Sequence, residues 1–189
     1  MYKIYYLQKY HSRNLEAGYA FLCYSLDKDY CRGDECIVKV VIVYASIHHG
    51  NTRKLVEAIA DKYEIDMVDA TTQQKADLSQ YELIGFASGI DFGKFYESIE
   101  RFLKENLPEH KKVFFLYTCA RTSESFTQTM RTEALQKAAV LTGEYGCRGY
   151  NTYGAWKLIG GMNRHHPDRA ELDSAVRFYE SLLENLQEK

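Results

Sequence analysis

From Val38 onward, short apolar runs alternate with segments whose apolar residues recur every three or four positions. Val38–Ala45 is a short apolar run rich in β-branched residues, of the kind a strand buried on both faces uses. Leu55, Val56, Ile59 and Tyr63 then mark the inner face of a helix beginning near Asn51-Thr52. Further strands are predicted at Glu64–Val68, at Tyr81–Ala87 ending in Ser88-Gly89, at Lys112–Thr118 and at Glu144–Gly149. Between them, one helix sets Phe95, Ile99, Phe102 and Leu103 on one face. Another, near Thr127–Leu141, turns Met130, Ala134, Leu135 and Ala138 inward. The last, Asp168–Leu186, carries Leu172, Ala175, Val176, Tyr179, Leu182, Leu183 and Leu186 at helical spacing. Such alternation predicts an α/β fold: a doubly wound, five-stranded parallel sheet with helices on both faces. Right-handed crossovers make 2-1-3-4-5 the natural strand order. Ligands then bind beyond the carboxyl ends of the strands, where loops 46–52, 88–94 and 118–124 meet.

The pattern is missing before Val38. Residues 1–37 hold seven of the sixteen tyrosines and the three cysteines Cys23, Cys31 and Cys36, without a clean period. This segment is read as an N-terminal extension, dispensable for folding of a domain spanning 38–189. Arg32-Gly33-Asp34 can be encoded by bases resembling a ribosome-binding site, which would make Val38 a start codon. Zinc ligation by Cys23, Cys31, Cys36 and His11 matches no standard spacing and is set aside.

Bulk properties narrow the function classes. A formal charge of −2 offers no case for nucleic acid. No apolar run reaches the length of a membrane span, and the start is too polar for a signal-peptide core. Five irregularly spaced cysteines fit reduced thiols in the cytoplasm better than a disulfide framework.

The first loop carries the chemistry. Ser46-Ile-His-His-Gly50-Asn51-Thr52 turns a buried strand into a helix N-terminus, where free N–H groups, the helix dipole and hydroxyls favour a phosphate. These residues resemble the phosphate loop of flavodoxins, Ser/Thr-x-Thr-Gly-x-Thr. Three residues separate Ser46 from Gly50 where the usual loop has two, so Gly50-Asn51-Thr52 carries the match. The resemblance implies a flavodoxin-like fold that binds flavin mononucleotide (FMN). A phosphate-receiver domain shares the topology but needs acidic residues after the first strand, where Ser-Ile-His-His stands.

By that resemblance, Ser46, His48, His49, Gly50, Asn51 and Thr52 hold the phosphate end. Ser88, Gly89, Ile90, Asp91, Phe92 and Gly93 line the isoalloxazine, with Phe92 read as a stacking face or a core residue and Tyr96 as the reserve. Thr118, Cys119, Ala120 and Arg121 complete the site, Cys119 as a small inert thiol. Arg121 stands where flavodoxins often carry a stacked Tyr with acidic neighbours. It stacks on the ring, approaches its N1–C2 edge, or points into solvent. A cation about 4 Å from the ring is worth about 4 kcal/mol at an effective dielectric near 20. That would raise the potential by upwards of about 100 mV.

The segment from Gly146 to Asp168 is similar to the Gly-Tyr/Phe-Asp-Thr-Tyr-Gly…Gly-His-Pro-Asn stretch of a bacterial flavodoxin-like subgroup, with Asn151 and His165 as departures. Long loops of this kind are usually functional. The pairs His48-His49 and His165-His166 point apart on most backbones, so no metal site is read. A turn before an Asp168 helix cap is the better account of the second pair. The expected function is electron transfer between a reductase donor and an acceptor enzyme in the cytoplasm, with no membrane or nucleic-acid partner and no catalytic residue. The alternative is a flavin-dependent quinone, bilin or protoporphyrinogen reductase or oxidase, with a substrate pocket formed by loop 150–166.

Overall fold

A computed structural model describes residues 38–187 and the backbone of 31–32 and 35–36, leaving out the side chains at 124, 155–157 and 187. The chain divides into two compact units, Met1–Ile37 and Val38–Lys189. In the first, the two-residue strands Cys31–Arg32 and Glu35–Cys36 pair antiparallel. The ligand set weighed for zinc lies outside the described residues.

The second unit is built on five parallel strands: β1 (Val40–Ala45), β2 (Asp66–Asp69), β3 (Leu83–Asp91), β4 (Lys112–Cys119) and β5 (Val140–Arg148). Their spatial order is β2-β1-β3-β4-β5, as the alternation predicts. Helices α1 (Asn51–Ala60), α2 (Glu97–Asn106), α3 (Gln128–Gln136) and α4 (Arg169–Gln187) cover the sheet, α1 with α4 and α2 with α3. Period two along β1 divides its side chains between two cores. Val41, Val43 and Ala45 pack with Ile99, Phe102 and Met130, while Val40, Ile42 and Tyr44 pack with Val56, Ile59 and Tyr179. Among the described residues, no helix is long and apolar enough to cross a membrane.

The element boundaries differ from the sequence pattern in several places. Phe95 belongs to a two-residue strand, Lys94–Phe95, that folds back antiparallel on the end of β3, and not to α2. α3 stops at Gln136, and Val140–Leu141, read as its last turn, start β5. Met130 and Ala134 are buried, but Leu135 is 75% exposed and Ala138 lies beyond the helix. The cause is a chain reversal without glycine. Ala138 takes φ 51°, and Ala139 N–H donates to Ala134 O at 3.0 Å while Ala138 N–H donates to Leu135 O at 2.9 Å. These are the two bonds of a Schellman cap, whose left-handed position favours glycine. Ala138→Gly is therefore expected to stabilise the protein by about 1 kcal/mol, the order of the left-handed penalty. Urea titration checks this; an unchanged or lower midpoint counts against it.

At the start of α4, Glu171 N–H donates to Asp168 Oδ1 and Asp168 N–H to Glu171 Oε2, both at 2.9 Å. This reciprocal capping box also holds His166, whose Nδ1 lies 2.7 Å from Glu171 Oε2. Those bonds tie down the far end of the β5–α4 segment, whose near end reaches the carboxyl edge of the sheet.

Candidate functional site

The carboxyl ends of β1, β3 and β4 surround a cavity of about 400 Å³, within the range of small-molecule sites. One end is the start of α1. His49 and Gly50 both take left-handed conformations, φ 57° and 67°, which turn the strand end into the helix. α1 has no carboxylate in its first turn to repel an anion. Ser46 Oγ accepts the Arg53 N–H at 3.1 Å, and Asn51 N–H reaches His48 O at 3.5 Å. The Thr52 N–H has no acceptor among the described residues. Thr52 is 1% exposed, and its hydroxyl lies 2.9 Å from that of Thr118 on β4.

Asn51 supplies a further sign of an occupant. It is 7% exposed, donates from Nδ2 to Tyr150 O at 2.8 Å, and leaves Oδ1 buried without a partner. A buried, unpaired acceptor costs about 1–3 kcal/mol unless a ligand or water satisfies it. Both Asn51 and Thr52 line the cavity, and Gly149 leaves room for Asn51 and Thr118: a Cβ there would meet Asn51 Nδ2 at 2.9 Å and Thr118 Cβ at 3.2 Å.

The structure brings Ser46, His48, Asn51, Thr52, Gly89, Ile90, Asp91, Phe92, Thr118, Cys119 and Ala120 to the cavity wall. The other expected residues lie behind or beside it. Ser88 is fully buried, donating to Gly89 O at 2.7 Å and accepting the Tyr96 N–H at 2.9 Å. Gly50 and Gly93 shape turns. His49 stands outside the wall and braces it, with Nε2 2.9 Å from Thr152 Oγ1 and its ring 4.2 Å from that of Tyr150. Arg121 is exposed and does not line the cavity. The potential-raising cation expected of it is therefore not at the wall. Asp91 is the one carboxylate among the lining residues, which include no Lys or Arg. Burial pushes the Cys119 thiol up to about 12, so it stays protonated.

Phe92 belongs to neither core. With Gly93 it forms the two-residue turn between Asp91 and Lys94, at φ 47° and 83°. Positive φ at both central residues is the type I′ geometry, for which Asn-Gly is the favoured pair. Phe92 is 83% exposed, and its ring meets that of Tyr153 edge-on at 5.9 Å.

Gly149–Tyr153 forms the wall that sequence reasoning did not assign to the cofactor. The segment is fastened on three sides. Asn151 pairs antiparallel with Met162, and Asn163 Nδ2 donates to Gly149 O at 3.4 Å and to Ala120 O at 2.9 Å. Asn51 holds Tyr150 from the remaining side. The sequence signals for this wall were the Gly- and Tyr-rich composition of the segment and its similarity to a flavodoxin-like subgroup, from which loop 150–166 was read as a substrate pocket and not as a cofactor wall.

Comparison with known proteins agrees with this fold. A family model described as Flavodoxin domain matches residues 41–157. A Methanocaldococcus jannaschii protein, described as uncharacterized, is 37% identical over 150 residues, covering 78% of this chain and 100% of that one. Among solved structures, a flavodoxin from the domain Archaea superposes with a TM-score of 0.57 at 15% identity, covering 78% of this chain and 99% of that chain. A flavodoxin, WrbA-like protein from Agrobacterium tumefaciens gives 0.54 at 17% identity, with the same coverage. At these identities the two structures speak for the fold alone.

Proposed function

The chain belongs to the flavodoxin family, and from that premise we propose that it binds FMN in this cavity and passes electrons between redox enzymes. The observation that carries the reading is the open start of α1: a free Thr52 amide, buried hydroxyls and the orphaned Asn51 Oδ1, with no carboxylate in the first turn. This donor set fits FMN. Thr52, Ser46 and the first-turn amides suit a phosphate. Asn51 Oδ1, an acceptor, suits a hydroxyl of the sugar chain. The loops after β3 and β4 supply backbone and aromatic walls for a planar ring.

When bound, FMN supplies the one- or two-electron chemistry, and the protein sets access and potential. Asp91, the carboxylate on the wall, disfavours added negative charge nearby and so acts toward a low potential. The partners are a reductase and an acceptor enzyme, and the compartment is the cytoplasm, where Cys119 and Cys147 stay as thiols.

A second reading, a flavin-dependent reductase or oxidase, draws on the exposed Phe92 and Tyr153 rings at the cavity mouth, which would suit a planar substrate. The purified protein is expected to show a flavin absorption spectrum and to release FMN on denaturation. A colourless protein that takes up no added FMN sinks the proposal. Steady-state turnover of a nicotinamide cofactor with quinones, no faster than free FMN supports, is the result expected of a carrier. Rapid turnover favours the second reading.

A further inference from the structure

Tyr96 lines the cavity, and among the described residues only its backbone forms hydrogen bonds. Its backbone is fixed at the head of α2: the carbonyl accepts from Ile99 N–H at 2.9 Å and Glu100 N–H at 3.2 Å, and the N–H donates to Ser88 Oγ. The phenol end of the ring rests against Gly89. A Cβ at that position would lie 2.5 Å from the Tyr96 hydroxyl oxygen and 2.8 Å from two ring carbons. Both residues belong to the cavity wall, so the close approach that glycine permits sets the hydroxyl at the wall. The His48 ring lies edge-on to the Tyr96 ring, their centroids 6.3 Å apart.

That hydroxyl has no hydrogen-bond partner among the described residues. A phenol placed at a site entrance with its O–H unused is an available donor. Burial, and secondarily the nearby Asp91 charge, pushes its pKa up to about 12, so the proton is present at neutral pH.

We propose that the Tyr96 hydroxyl is a hydrogen-bond donor to the bound ligand, directed at a carbonyl oxygen or unprotonated ring nitrogen of a planar heterocycle. This rests on FMN as the occupant, and it places the contact at the ring end, away from the phosphate end at α1. Tyr96 was read from the sequence only as a substitute stacking face; here the O–H, and not the ring face, is the functional group.

The test uses Tyr96→Phe in the full chain, which keeps the ring against Gly89 and removes only the O–H. FMN and riboflavin serve as two probes. The variant is expected to melt at the wild-type temperature without ligand and to bind FMN about 3- to 10-fold more weakly, the range of one neutral hydrogen bond. Riboflavin should lose affinity by the same factor, because the lost contact belongs to the ring. The visible absorption band should also move relative to the wild-type complex. Unchanged affinity and spectrum overturn the proposal, as does a loss seen with FMN and not with riboflavin. If Tyr96→Phe is unstable, Tyr96→Trp keeps an aromatic donor at the position, and wild-type affinity with the band restored supports the donor role. Wild-type protein that binds neither flavin refutes the FMN reading itself, an outcome distinct from a Tyr96→Phe result.

Discussion

Riboflavin is expected to bind this protein about 100-fold more weakly than FMN. A micromolar complex corresponds to about 8 kcal/mol. Burying some 200 Å² of ring at about 25 cal/mol per Å² supplies about 5. The remaining 3 or so must come from the phosphate end, and about 1.4 kcal/mol is a factor of ten. The donors there are the amides at the start of α1 and the hydroxyls of Ser46 and Thr52. Thr52→Ala should accordingly weaken FMN binding by about 1–3 kcal/mol, the range for hydrogen bonds to a charged group. Its hydroxyl also pairs with Thr118 at 2.9 Å, so part of the loss can arise from the fold. Thr52→Ser keeps the hydroxyl and should recover most of the affinity. Quenching of flavin fluorescence measures all three proteins with both flavins, and equal affinity of the wild type for the two would rule out α1 as the phosphate site.

Gly85→Ala should destabilise the protein by about 1–3 kcal/mol, the usual cost of overfilling a packed core. Gly85 sits in the central strand β3, paired in register with Phe114 of β4. The Phe114 ring covers it so closely that a Cβ would fall 2.4 Å from Cζ and under 3.0 Å from both Cε atoms. The ring has little room to retreat, because Phe178 and Tyr179 of α4 lie 6.2 and 6.1 Å away on the same side. Replacing glycine reduces the entropy of the unfolded chain, which returns about 0.4–1 kcal/mol where the backbone tolerates it. The clash should win. A urea midpoint equal to or above that of wild type, with unchanged slope, would show that the core yields more readily than this.

What the sequence displays and what it conceals follow from the range of the interactions involved. β1 and β4 are legible because both of their faces are buried, which demands uninterrupted apolar runs. β2 is an edge strand, half exposed and acidic at both ends, so its bounds shift to Asp66–Asp69. The start of β5 was hidden because Ala134, Leu135, Ala138 and Leu141 continue a helical period that Ala138 breaks without a glycine to announce it. β3 runs on to Asp91 because it ends in a hairpin whose turn holds Phe where Asn is usual. At the site, the turn from β1 into α1 was legible because it is local, a strand, a turn and a helix start within a few residues. The Gly149–Tyr153 wall was not, because Asn51 meets Tyr150 across 99 positions. Tyr96 was visible as an aromatic, but its placement at the cavity wall depends on the close approach to Gly89, which spacing does not reveal.

The turn at Phe92-Gly93 bears on how such a protein would be engineered. An optimiser seeking thermal robustness would select position 92 early, since a bulky residue at positive φ costs on the order of 1–3 kcal/mol and Asn-Gly would relieve it. Natural chains tend to keep such strain where activity depends on it, so relief at these positions commonly trades activity for stability. Phe92 stands 83% exposed at the mouth of the cavity, where the cost has no return in packing. A library ranked by melting temperature alone would discard the aromatic first, whereas a library also scored for flavin binding would show whether the strain is an adaptation or a relic.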